Sequence, residues 1–235
     1  MIHVSRISLW LASLLPATLL AQHTKLTVVP TWTQGRLVLD SAYADLGDTV
    51  QVTTVRLYVG ELRAATAGGD TLAASSPYLL VDARDTAGTY VTFRTAAPLA
   101  SVAGVIGVNS ALNFAGPQAG ALDVANGMYW TWQSGYIGLK LEGMSTACPE
   151  GFTYHVGGFL GGLSPTAEFT ALASAPSLTR DAVGRAYQLK IDVRALHAAL
   201  AEHVGCTLMR PHPSAVLASR RFSGAVSLIS PAAAP

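Results

Sequence analysis

Short runs in which apolar and polar residues alternate dominate this chain, the period-two signature of half-buried antiparallel strands. In TVQVTTVRLYVGEL, residues 49–62, Val50, Val52 and Thr54 share one face before the phase shifts to Val55, Leu57 and Val59. A β-bulge near Thr53 to Val55 accounts for such a shift. Further strands are predicted at KLTVVPTW (25–32), RLVLD (36–40), YLLVDA (78–83), TYVTFRT (89–95) and GVIGV (104–108). MYWTWQSGYIGLKLEG (128–143), FTYHVGG (152–158) and AYQLKIDV (186–193) continue the pattern. Gly35, Gly47-Asp48, Gly68-Gly69, Gly88 and Gly116-Pro117 mark turns between them. RALHAALAEH (194–203), ended by Gly205, has the composition of a helix, and PSAVLASRRF (213–222) can form another. The pattern predicts an all-β fold, an antiparallel β-sandwich with one or two short C-terminal helices. The tail SPAAAP is expected to fray.

Composition sharpens this picture. At 235 residues, half of them hydrophobic, the chain suits one domain with a sizeable core. A formal net charge of +1 lacks the basic excess that nucleic-acid binding needs. Residues 1–21 place Arg6 before an apolar run from Ile7 to Leu20 and a small residue before QHTK, the layout of a secretory signal peptide. The run is short for a membrane span of about 20 apolar residues, so the mature chain, 22–235, is expected to be one domain without a span, periplasmic or secreted. Export makes Cys148 and Cys206 candidates for a disulfide; two unrelated buried thiols or a soft metal ligand are the other readings.

Chemistry concentrates in GMYWTWQSGYIGLKLEG (127–143), which holds two of the four tryptophans. As a strand it would direct Met128, Trp130, Trp132 and Ser134 to one face. Such a pair can be core packing or a platform on which a sugar ring stacks. Metal binding needs more, because the indole nitrogen of an unmodified tryptophan is a donor only. Oxidative opening of the indole to kynurenine would supply an aryl amine and a ketone.

GVNSALNFAGPQAGALDVANGMYWTWQSGYIGLKLEG followed by FTYHVGG resembles the MbnP-like family of exported copper proteins, named for members encoded in methanobactin operons. The likeness is densest from Gly104 to Gly158, with echoes at VTTVRLYVGEL and CTLMRPHPSAVLASRRF. It implies one Cu(I) held by histidine and a kynurenine made from the first tryptophan of the pair, here Trp130. The modifying partner would be a dihaem enzyme of the cytochrome c peroxidase and MauG type. Trp132, Met128 and Tyr136 would support the site. The chain would be the substrate of that reaction and no enzyme itself. The alternative function is a non-catalytic carbohydrate or surface-interaction module using Trp130 and Trp132 as its platform.

Among the mature histidines, His155 lies in the matched YHVGG segment, with Tyr154 and Val156 expected to face the core. His23 could supply a second imidazole beside a sheet edge. His197 and His203 sit six apart on a predicted helix, about 120° around it, and would not chelate together. His212, between Pro211 and Pro213, reads as a turn residue. Phe114 stands where some family members place a histidine; Asn109 and Val124 stand for an aspartate and a proline. Glu142 and Asp123 have no evident partner in the sequence. No H-E-x-x-H, G-x-S-x-G, P-loop or C-x-x-C-H motif is present.

Overall fold

Alternation produces two sheets because each strand has one apolar face to bury, and the two faces bury each other. The computed structural model describes residues 23–45, 47–173, 180–181 and 184–229. The expected leader at 1–21 and the tail SPAAAP lie outside these residues. In chain order the first strands are β1 (Thr24–Trp32), β2 (Gly35–Arg36), β3 (Ala42–Asp45), β4 (Asp48–Thr66) and β5 (Thr71–Ala73). Next come β6 (Tyr78–Asp82), β7 (Thr89–Phe93), β8 (Leu99–Ile106), α1 (Ser110–Ala115), β9 (Ile137–Ser145) and β10 (Phe152–Gly157). The chain continues through β11 (Ala167–Leu172), β12 (Arg180–Asp181), β13 (Gly184–Asp192), α2 (Val193–Val204), β14 (Thr207–Leu208), α3 (Pro213–Ser219) and β15 (Val226–Ile229).

The smaller sheet runs β12-β13-β1-β2, with β15 on β13 and β7 on β1; the larger runs β11-β8-β4-β9-β10-β14. The expected all-β sandwich is present, with parallel pairings of β1 with β13 and of β10 with β14 inside it. β4 organises the larger sheet. Its register against β9 shifts between Val52 and Thr54, the bulge the phase change predicts. A second irregularity at Gly60 to Arg63 leaves Glu61 at φ +54, where the ladder passes from β9 to β8. A side chain on Gly60 would strike the Tyr78 ring at 2.2 Å.

Leu26, Val28 and Leu189 of the smaller sheet meet Val52, Leu57, Leu141, Tyr154 and Val156 of the larger one in the main core. Leu196 and Leu200 bring α2 against it, and Asp192 caps the helix by accepting from the Arg194 amide at 3.0 Å. Cys148, in the turn after β9, forms a disulfide with Cys206, just before β14, with a Cα–Cα distance of 5.8 Å.

A second apolar cluster lies on the outward face of the larger sheet: Tyr58, Tyr78, Val105, Val108, Leu122, Met128, Tyr136 and Ile137. The long connection from β8 to β9 covers it. That cover carries the tryptophan pair.

Candidate metal centre

The cover starts at α1. Asn109 caps the helix by accepting from the Leu112 amide at 2.8 Å, and its side-chain amide donates to Glu61. Tyr78 donates its hydroxyl to the same carboxylate at 3.2 Å. The bulge in β4 thus aims Glu61 at the start of the connection. Asn113, buried inside α1, donates to the carbonyls of Val108 and Asn109, both at 3.0 Å, and accepts from the Tyr136 amide at 2.8 Å. The Tyr136 hydroxyl donates to the Leu122 carbonyl and accepts from the Gln118 amide, both at 2.8 Å. One asparagine and one tyrosine therefore tie both ends of the loop together.

Two 3-10 turns follow, Gly120–Leu122 and Val124–Asn126. Arg56 of β4 donates to the Asn126 carbonyl at 2.7 Å, and Lys140 of β9 donates to that of Gly127 at 3.1 Å. These two cations belong to a row that crosses four strands in direct register, Asp82, Arg56, Lys140 and His155. The row holds the loop by its carbonyls and ends on the candidate ligand.

The tryptophan pair is not on a strand, contrary to the alternation of MYWTWQS. Tyr129 and Tyr136 form an isolated bridge, the Trp130 amide donates to the Gly135 carbonyl at 3.0 Å, and the Gly135 amide returns to Thr131 at 2.7 Å. Residues 131–134 are the turn between them, closed by Gly135 at φ +73. The indoles therefore part. Trp130 is half-buried, its ring against Gly157, where an added Cβ would lie 3.0 Å from Cζ3. Trp132, at the turn, is 74% exposed. Met128 is fully buried beneath the loop. Burying such a side chain contributes roughly 1.5–3 kcal/mol, so Met128 and Tyr136 hold the site up from below. Burial pushes the Tyr58 phenol upward, and the hydroxyls of Tyr58 and Tyr129 are enclosed without a hydrogen-bond partner among the described residues.

On β10, Tyr154 and Val156 face the core, and His155 faces outward with Gly157. Gly157 is two residues further along β10, about 6.6 Å at strand rise, so the Trp130 ring packs on the same strand as His155, two residues on. The Nε2 of His155 lies 2.6 Å from Oε1 of Glu142. Glu142 thus has a partner that its place in the sequence conceals. Burial works to raise the Glu142 pKa, but hydrogen bonds from His155 and Thr54 and the nearby His155 and Lys140 charges hold it below the ordinary carboxylate value.

A copper ion asks for imidazole or soft sulfur donors. With Nε2 committed to Glu142, Nδ1 of His155 has no hydrogen-bond partner among the described residues, the carboxylate-backed arrangement seen at metal-bound histidines. Among the described residues no three His, Cys, Asp or Glu side chains converge on a ready-made site. What this face offers an ion is the Nδ1 of one imidazole whose ring is held by a carboxylate.

The structure does not bring His23 to this group. It precedes β1 in the smaller sheet, and Thr24 and Leu26 point into the core, which sends His23 to the opposite side of the sandwich from His155. Phe114 is exposed and meets Phe159 edge to face at 4.9 Å. His197 is buried against Phe152 at 4.7 Å and belongs to the core. Sequence reasoning missed Glu142, Glu61 and Asn113. The alternating T-Y-H and L-E-G of two adjoining strands was the signal for the first.

The MbnP family profile matches residues 21–207. Among solved structures the chain is similar to MbnP from Methylosinus trichosporium, with a TM-score of 0.58 at 16% identity over 90% of this chain and 99% of that one. At that identity the likeness concerns the fold. No curated protein matches the chain significantly.

Proposed function

The chain belongs to the MbnP family, and from that premise we propose that it is an exported copper-binding protein serving copper acquisition or homeostasis. His155 would hold Cu(I) through Nδ1, and Glu142 would fix the ring by accepting from Nε2. Trp130 would be converted to kynurenine by a partner dihaem enzyme and would then offer its own weak donors. The chain would be carrier and modification substrate, with no catalytic residue of its own. The observation that carries this reading is the His155–Glu142 pair at 2.6 Å, two residues along β10 from the glycine on which the Trp130 ring packs. Among the described residues no helix is long and apolar enough to cross a membrane, which is compatible with export.

The carbohydrate-module reading loses its basis in the turn at 131–134. A platform needs two indoles on one face, and here one packs on Gly157 while the other points to solvent.

Intact mass of the protein co-produced with its haem partner tests the modification: the peptide containing Trp130 should gain about 4 Da. Copper content tests the site. His155→Ala should lose copper and keep the fold, because His155 faces outward from the core; an unmodified peptide together with no copper retention sinks the proposal.

A further inference from the structure

The turn holds its two tryptophans close together but in different surroundings. The Trp130 amide donates to the Gly135 carbonyl at 3.0 Å, and the amides of Gly135 and Ser134 both donate to the Thr131 carbonyl, at 2.7 and 3.2 Å. These bonds leave the turn little freedom, and two residues along a chain span no more than about 7 Å between Cα atoms. Trp130 is half-buried with its ring on Gly157, whereas Trp132 is 74% exposed. Packing does not account for an indole placed in solvent, because burial is where its large apolar area would stabilise the fold.

The other oxidisable rings around Trp130 are insulated. Tyr129 meets Tyr136 at 4.9 Å and Tyr136 meets Tyr58 at 5.9 Å, a row of phenols that leads inward from the residue next to Trp130. A phenol that gives up an electron becomes a strong acid and must shed its proton. The Tyr58 and Tyr129 hydroxyls are enclosed without a hydrogen-bond partner among the described residues, and that of Tyr136 donates to the Leu122 carbonyl, a poor base. Trp32 is buried in the main core against Tyr43. An indole radical cation keeps its charge without an immediate proton acceptor, so the open route from Trp130 to the surface is the second indole.

From this contrast we propose that Trp132 is the electron relay through which an oxidant at the surface draws electrons from Trp130, with the three enclosed tyrosines confining the oxidation to the indole pair. This rests on the reading of Trp130 as the residue converted to kynurenine. The oxidant is the partner's haem, charged by hydrogen peroxide. In each step that haem accepts one electron from Trp132, Trp132 recovers one from Trp130, and a proton from the Trp130 ring passes to water. Over the whole conversion Trp130 takes up three waters and gives four electrons and four protons. The bonds from C2 to C3 and from C2 to nitrogen break, C3 becomes the ketone, nitrogen becomes the amine and C2 leaves as formic acid. Trp132 ends each step as it began.

The test mixes the mature protein with its haem partner and hydrogen peroxide, follows the gain of about 4 Da at the Trp130 peptide over time, and measures the affinity of the two proteins in parallel. Trp132→Phe keeps an exposed ring that is too hard to oxidise. It should slow the mass gain by about tenfold or more, a barrier rise of about 1.4 kcal/mol, at unchanged affinity for the partner. Trp132→Tyr should restore most of the rate, because an exposed phenol sheds its proton to water. Tyr129→Phe should leave the rate unchanged, and a slower Tyr129→Phe would put the phenols on the path and overturn the insulation. If wild type gains the mass and Trp132→Phe gains it as fast, or if Trp132→Tyr is as slow as Trp132→Phe, Trp132 is a bystander or a docking contact, and the modification reading stands. If wild type gains no mass, the modification reading fails and the relay fails with it.

Discussion

Glu142 and Gly157 carry the chemistry of this face in opposite ways, one by charge and one by lacking a side chain. Glu142→Gln keeps the shape beside His155 but replaces a charge-assisted hydrogen bond with a neutral one. Outer partners of this kind typically change metal affinity by about 10–100-fold, so Cu(I) competition should show a loss in that range with little change in melting temperature. An unchanged affinity would mean that Glu142 does not set the ring. Acid should act similarly. The folded Glu142 pKa is depressed, so the bond is complete above the ordinary value of 4.5 and is lost as pH falls through the lower folded value. Gly157→Ala would set a methyl 2.3 Å from the Tyr136 carbonyl and 3.0 Å from Trp130. Backbone cannot yield cheaply, and overpacking of this sort costs about 1–3 kcal/mol. The urea midpoint should drop and Trp130 emission should move to the red as the ring is lifted from the strand. Retention of both wild-type values would show that the contact is slack.

Elements whose pattern matched their environment were legible in the sequence. α2 was, because Leu196, Ala199 and Leu200 repeat on one stripe and Gly205 stops it. β4 was, bulge included, because its two faces differ in polarity on either side of Thr53. MYWTWQS was not: its alternation imitates a strand, and the Ser134-Gly135 turn signal was outweighed by four strand-forming side chains. β11 was overlooked because two of its three inward residues, Ala167 and Ala171, have little strand propensity. α2 also contains a titration the pattern could not reveal. His197 lies among Trp32, Phe152 and Tyr154, and desolvation lowers its pKa from the ordinary 6.5, with Asp45 and Asp48 opposing part of the shift. The unfolded chain therefore takes up this proton first. Its contribution to stability is complete above about pH 6.5 and declines as pH falls below it toward the depressed folded value. Urea midpoints at pH 7.5 and pH 5 should differ more in wild type than in His197→Phe, which keeps a ring in the cage without a proton to bind. Equal differences would assign the pH dependence to other groups.

At the scale of the whole molecule, the sandwich separates what the sequence could order from what only folding could bring together. His155 and Glu142 are 13 residues apart and meet because β9 and β10 form a hairpin. Thr153 and Tyr154 are joined to Thr207 and Leu208 from much further apart by a parallel strand, a pairing with no local signature. His23 was lost for the same reason, since which side of a two-layer fold a strand exposes depends on topology. The Cys148–Cys206 bond fastens this distant segment to the hairpin across a separation of 58 residues. Closing a loop of that size stabilises by about 4 kcal/mol in the chain-entropy model, so replacing both cysteines with serine should lower unfolding free energy by about that amount. The local consequence is more specific. With the bond gone, β14 is held to β10 by a two-residue ladder and by the Pro211 side chain against Gly158. The Cys148→Ser/Cys206→Ser protein, measured where it is still folded, should therefore exchange the Thr153 amide, which donates to the Cys206 carbonyl, faster than the wild type does. Unchanged protection of the Thr153 amide without the disulfide would show that the register of β14 is set by its own packing, with the crosslink serving stability alone.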